Sequence, residues 1–118
     1  MKLPLALIAL ALPLSVTAAA CDSDGGDRRV IQIVQTNDSC TPETVQVATG
    51  EKVRFEVRND GSKDKEVEGI EGMKLEELLV PAGRTRNLNY TAPDQAGTEK
   101  LKCYIPGGAS TIIEVQVS

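Results

Sequence analysis

Residues 52–58 alternate without a fault: Val53, Phe55 and Val57 fall on one side of an extended chain, and Lys52, Arg54, Glu56 and Arg58 on the other. A period of two with one apolar and one charged side describes a strand with one buried and one wet face. A helix over the same residues would scatter the valines around its circumference. The pattern sets the terms for the rest of the chain, because a half-buried strand needs partners of the same kind and a second layer to cover its apolar side.

The partners follow in order. Residues 30–35 read as a first strand, apolar enough to be expected buried on much of both faces, and Val45 and Val47 as a short second one. The turn-rich link of residues 36–42 separates them, and Pro42 bars that link from a central strand position. After the 52–58 strand, Asn59-Asp60-Gly61-Ser62 makes a turn, and residues 65–70 form a weaker strand. Residues 73–80 fit either a helical turn or an edge strand; the strand is preferred, with Pro81-Ala82-Gly83 ending it. Leu88 and Tyr90 share a face in residues 85–91. Glu99, Leu101 and Cys103 share one in the next run, opposite Lys100 and Lys102, and Ile113, Val115 and Val117 close the chain. Seven or eight short strands broken by turns specify an all-β sandwich. With no Trp, one Phe and two Tyr in 118 residues, its core must be built from Val, Ile and Leu.

The first 20 residues have a different purpose. Lys2, an apolar run from Leu3 to Leu14 and the small residues before Cys21 have the layout of a secretory signal, too short to span a bilayer. Ala18-Ala19-Ala20-Cys21 resembles the lipobox of bacterial lipoproteins, which implies that Cys21 is lipidated and becomes the first residue of the exported chain. The polar stretch that follows cannot bury apolar surface and reads as a flexible tether. The expected division is therefore a lipoprotein signal peptide at 1–20, a tether at 21–28 and one domain at 29–118. Its place is the bacterial cell envelope, held to a membrane by the N-terminal lipid, with the domain in the periplasm or extracytoplasmic space.

The motifs of the domain resemble one family. Cys40-Thr41-Pro42-Glu43-Thr44-Val45-Gln46-Val47 before Gly50, the strand ending at Asn59, the Pro81-Ala82-Gly83 turn and Cys103 before Pro106-Gly107 are similar to the corresponding segments of cupredoxins. The resemblance implies a cupredoxin-like Greek-key β-sandwich over residues 29–118. Within that group, Cys40 with Cys103, Asn59-Asp60-Gly61-Ser62-Lys63 leading to Glu66, and Cys103-Tyr104-Ile105-Pro106-Gly107-Gly108 resemble the cupredoxin-like domain of the EfeO iron-transport lipoproteins. That narrower resemblance implies copper or iron as the bound metal, and a metal-uptake permease or another envelope protein as partner.

The chain contains no histidine. A blue-copper centre needs two His, a Cys thiolate and a weak axial ligand, so a blue-copper electron carrier is excluded by ligand count. By the resemblance Glu66 stands where the first His would be, and the implied metal set is Cys40, Glu66 and Cys103. The preferred alternative for the cysteines is a disulfide. With Cys21 lipidated, Cys40 and Cys103 are an even pair in an oxidising compartment. Bridging them would close a loop of about 63 residues, worth roughly 4 kcal/mol. The protein would then be a metal-free stapled sandwich acting as an envelope interaction module.

Other function classes are not supported. There is no histidine base, nucleophile elbow or glycine-rich phosphate loop, so an enzyme is not expected. The formal net charge of −4 argues against a nucleic-acid partner.

Overall fold

The computed structural model describes residues 27–118. The expected signal peptide, Cys21 and the expected tether up to Gly26 lie outside the described residues. Nine strands follow one another: β1 (Arg29–Gln35), β2 (Cys40–Thr41), β3 (Thr44–Val47), β4 (Lys52–Asn59), β5 (Lys65–Ile70), β6 (Leu78–Val80), β7 (Thr85–Thr91), β8 (Gly97–Tyr104) and β9 (Ser110–Val117). They form a four-stranded sheet in the order β2-β1-β4-β7 and a five-stranded sheet in the order β3-β9-β8-β5-β6. The expected all-β sandwich is the observed one, with the two-residue β2 as an addition.

The alternating strand lies at the heart of the first sheet. β4 runs parallel to β1 and antiparallel to β7, so that Ile31 and Leu88 flank Phe55. Val53, Phe55 and Val57 are fully buried, while Lys52 and Arg58 are exposed. β8 plays the same part in the second sheet, between β9 and β5, with Leu101 and Cys103 inward. Parallel neighbours such as β1 and β4 need a crossover; here the chain leaves for the other sheet as β3, beside β9, before it returns.

Two expectations are corrected. β1 is buried on one face only: Ile33 and Gln35 are inside, while Val30 remains 48% exposed. Its sheet is covered by a partner sheet on a single side, so the other face meets water. Residues 73–80 form neither a helical turn nor a full strand, and only Leu78–Val80 pair with β5. The preceding residues fold back on Gly69, whose N–H donates to Leu75 O at 3.1 Å. A Cβ at Gly69 would collide with the Met73 backbone. Glycine there admits the close approach and lets Met73 plug the core.

The interior is mostly aliphatic. Phe55 and Tyr90 stack with ring centroids 5.7 Å apart, and Ile33, Leu101 and Ile113 are the other large buried side chains. Two fully buried polar residues, Gln35 and Asn59, and an almost fully buried Lys65 interrupt it, all at one end of the sandwich.

Candidate functional site

That end is built by strand register. Gln35 is the last residue of β1 and stands level with Cys40 of β2 on one side and Asn59 of β4 on the other. Residues level in neighbouring strands put their side chains on the same face, so Gln35, Cys40 and Asn59 all enter the interior from the first sheet. From the second sheet come Cys103 of β8 and Lys65 of β5. Val67 is level with Cys103, and Lys65, two residues before Val67, shares its face. Cys40 and Cys103 thus approach each other across the gap between the sheets. A tight turn makes this placement of Cys40 possible: Thr36 N–H donates to Ser39 O at 2.8 Å, reversing the chain between β1 and β2.

Glu66 is not brought to the pair. It is level with Tyr104, whose side chain points outward, and lies half-buried beside the Tyr104 hydroxyl. The physical reason is the period of two, by which neighbours on a strand face opposite ways. Lys65 holds the inward position next to the sulfurs. Among the described residues, no group of three or more His, Cys, Asp or Glu is close enough to hold a metal ion.

Both cysteines are unbridged thiols, each 1% exposed. Their sulfurs are near enough to share a proton, which makes the two unequal. A hydrogen bond from Cys103 lowers the pKa of Cys40 against the opposing effect of burial, with help from the Lys65 charge and the Gln35 amide. Cys103, as the donor to Cys40, is pushed far up, and burial pushes it the same way. Of the two, Cys40 is the one held toward ionisation and Cys103 the one held protonated.

The surroundings are uneven in how well they are satisfied. Asn59 is saturated: its Nδ2 donates to Lys63 O at 2.8 Å and Val80 O at 2.9 Å, and its Oδ1 accepts from Gly61 N–H at 2.9 Å. Gln35 lies beside both sulfurs, yet neither Nε2 nor Oε1 completes a hydrogen bond. Lys65, 4% exposed, has no carboxylate partner among the described residues.

Gln35, Asn59 and Lys65 were not among the residues expected at the site, yet each extends an inward series by one step. Ile31 and Ile33 lead to Gln35, Val53, Phe55 and Val57 lead to Asn59, and Val67 leads back to Lys65. A polar residue at the end of an inward series was the signal.

The sequence matches the family model of the cupredoxin-like domain over residues 4–113. The chain belongs to the cupredoxin-like family. Solved structures agree on the fold. Dithionite-reduced auracyanin from Roseiflexus castenholzii superposes with a TM-score of 0.62 at 15% identity, covering 79% of this chain and 99% of auracyanin. The copper nitrite reductase of Nitrosomonas europaea gives 0.65 at 13% identity over 84% of this chain, which spans only 52% of that enzyme. A purple cupredoxin from Nitrosopumilus maritimus gives 0.51 at 19% identity, covering 74% and 98%. At such identities the likeness concerns the fold alone. A comparison with curated proteins gives no match.

A blue-copper ligand set does not fit this cupredoxin-like domain, since no histidine exists to complete it. Two thiolates without a third ligand fit a soft ion of low coordination, and cuprous copper is the biological metal of that kind.

Proposed function

We propose that this cupredoxin-like protein binds copper as Cu(I) between Cys40 and Cys103 and serves as an envelope-anchored accessory to metal uptake. The observation that supports this most is the meeting of two buried sulfurs from opposite sheets, one of them held toward the thiolate. Cys40 and Cys103 would hold the ion, and the sheets around them would keep water and oxidants away. Copper is favoured over iron because the donors are soft and the carboxylate at Glu66 faces outward. The lipobox-like Ala18-Ala19-Ala20-Cys21 and the resemblance to the iron-transport lipoproteins support a membrane anchor and a permease as partner.

The test is Cu(I) uptake by the reduced protein against a chromogenic cuprous chelator. One equivalent should bind to the wild type. Cys40→Ser and Cys103→Ser should abolish uptake, and Glu66→Gln should leave it unchanged. No uptake by the reduced wild type would refute the copper reading. Loss of uptake in Glu66→Gln would restore the three-residue set.

The same contact favours a second reading, a structural disulfide. Oxidation would remove two protons and two electrons from the thiols, passing them to an envelope oxidant, and join β2 of one sheet to β8 of the other. Thiol titration of the purified protein, with and without reductant, distinguishes the two. Protein that stays fully oxidised and metal-free in its native envelope is the staple. For a staple, Cys40→Ser should reduce stability in metal-free buffer by roughly 4 kcal/mol.

A further inference from the structure

We propose that Lys65 is a built-in counter-charge that restricts the Cys40–Cys103 site to a monovalent soft cation. The inference rests on the copper reading of that pair and adds what decides between ions.

Charge balance between the sheets decides which ion fits. Two thiolates and a monovalent cation together leave a single net negative charge. Burying an unbalanced charge is strongly unfavourable unless an opposite one lies close by. Lys65 supplies the opposite charge. It enters the interior on the face of Val67, diagonal to Cys103, is 4% exposed, and has no carboxylate partner among the described residues. The Lys65 charge acts on both sulfurs. With both deprotonated around a monovalent ion, the group of four charges sums to zero.

A divalent ion reverses the result. Two thiolates and a divalent cation are already neutral, and Lys65 then leaves a net positive charge in the same apolar gap. Ferrous iron and zinc also need further ligands, which the described residues near the pair do not offer. Gln35 lies beside the same two sulfurs. Its fully buried carboxamide lies against both sulfurs with neither Nε2 nor Oε1 in a hydrogen bond. That amide is in place to donate to thiolates once both sulfurs have lost their protons. Cys103 now spends its proton on Cys40.

The test compares reduced wild type with Lys65→Met and Lys65→Arg in the full exported domain, with Cu(I) and Cd2+ as probes and thermal melting as a check on folding. Lys65→Met keeps the length of the side chain and removes its charge; Lys65→Arg keeps the charge. Cu(I) affinity should fall by about tenfold or more in Lys65→Met and be retained in Lys65→Arg, while Cd2+ binding should strengthen in Lys65→Met alone. Equal Cu(I) and Cd2+ affinities in wild type and Lys65→Met would overturn the role of Lys65 and leave the copper site standing. No Cu(I) binding by the wild type would remove both. If Lys65→Met does not fold, Lys65→Gln takes its place under the same criteria. Tight Cd2+ binding by the wild type, matching its Cu(I) binding, would by itself contradict the charge rule.

Discussion

The two ends of the sandwich bury polar groups in opposite ways. At the end near the start of β4, Tyr90 stacks on Phe55 and its hydroxyl donates to Glu99. Arg28 closes the same region by donating to Val53 O at 3.3 Å and Tyr90 O at 3.0 Å. The polar groups there have partners, and burial together with the bond to Glu99 pushes the Tyr90 phenol well above its ordinary range. At the cysteine end Asn59 is just as well satisfied, but beside it stand an orphaned Gln35 amide, an unmatched Lys65 and two thiols sharing a proton. Buried polar groups without partners destabilise a fold. The first end pairs its buried polar groups within the fold. The second leaves polar groups incompletely paired, and the proposed copper ion would add partners for them.

Substitutions can break this contrast, beginning with the largest effect. Asn59→Ala removes three hydrogen bonds, one buried and two part-buried, and strands two carbonyls and an N–H; denaturant unfolding should show a loss of about 3 kcal/mol. Tyr90→Phe leaves the stack and removes the bond to Glu99, for a loss of about 1.5 kcal/mol by the same measurement. Gln35→Leu should have the opposite sign. Replacing an unsatisfied amide by a side chain of similar volume should stabilise the metal-free protein by about 1 kcal/mol. A loss there would mean that Gln35 is satisfied after all and that the two ends are alike.

The smallest effect belongs to the surface. Arg29 donates to Glu51 at 2.8 Å, and the Ala48 N–H donates to the same carboxyl at 2.9 Å. The Arg29 hydrogen bond, then that of Ala48, holds the Glu51 carboxyl below its ordinary value. A carboxyl whose folded pKa is depressed stabilises above its unfolded pKa of about 4.3 and loses that contribution as pH falls through the folded value. Glu51→Gln should therefore cost about 0.5 kcal/mol at neutral pH. The deficit should vanish in acid, as followed by melting temperature against pH.

Most of the fold was legible because its signal is local and repeated. The alternation of residues 52–58 and its weaker copies specified strands, and turn residues marked their ends. β2 was hidden because two residues before a proline carry no period; only pairing with Gln35 makes them a strand. Residues 73–77 were ambiguous because their course is set by a contact with Gly69, which no propensity reports. The cysteine pair was legible from its count and from the family resemblance, whereas its surroundings were not. Glu66 attracted notice as a metal-ligand type, and only the register with Tyr104 and Cys103 shows that its neighbour Lys65 faces the sulfurs. A shift of one residue changed the chemistry of the site from a carboxylate to an ammonium.

The central claim, that two cysteine sulfurs hold cuprous copper in this fold, is tested most directly by X-ray absorption at the copper edge of the reduced protein loaded with one equivalent. The account predicts Cu(I) bound by sulfur alone, with the signal lost in Cys103→Ser. Nitrogen or oxygen ligands in the first shell, or copper that washes off the wild type, would contradict it.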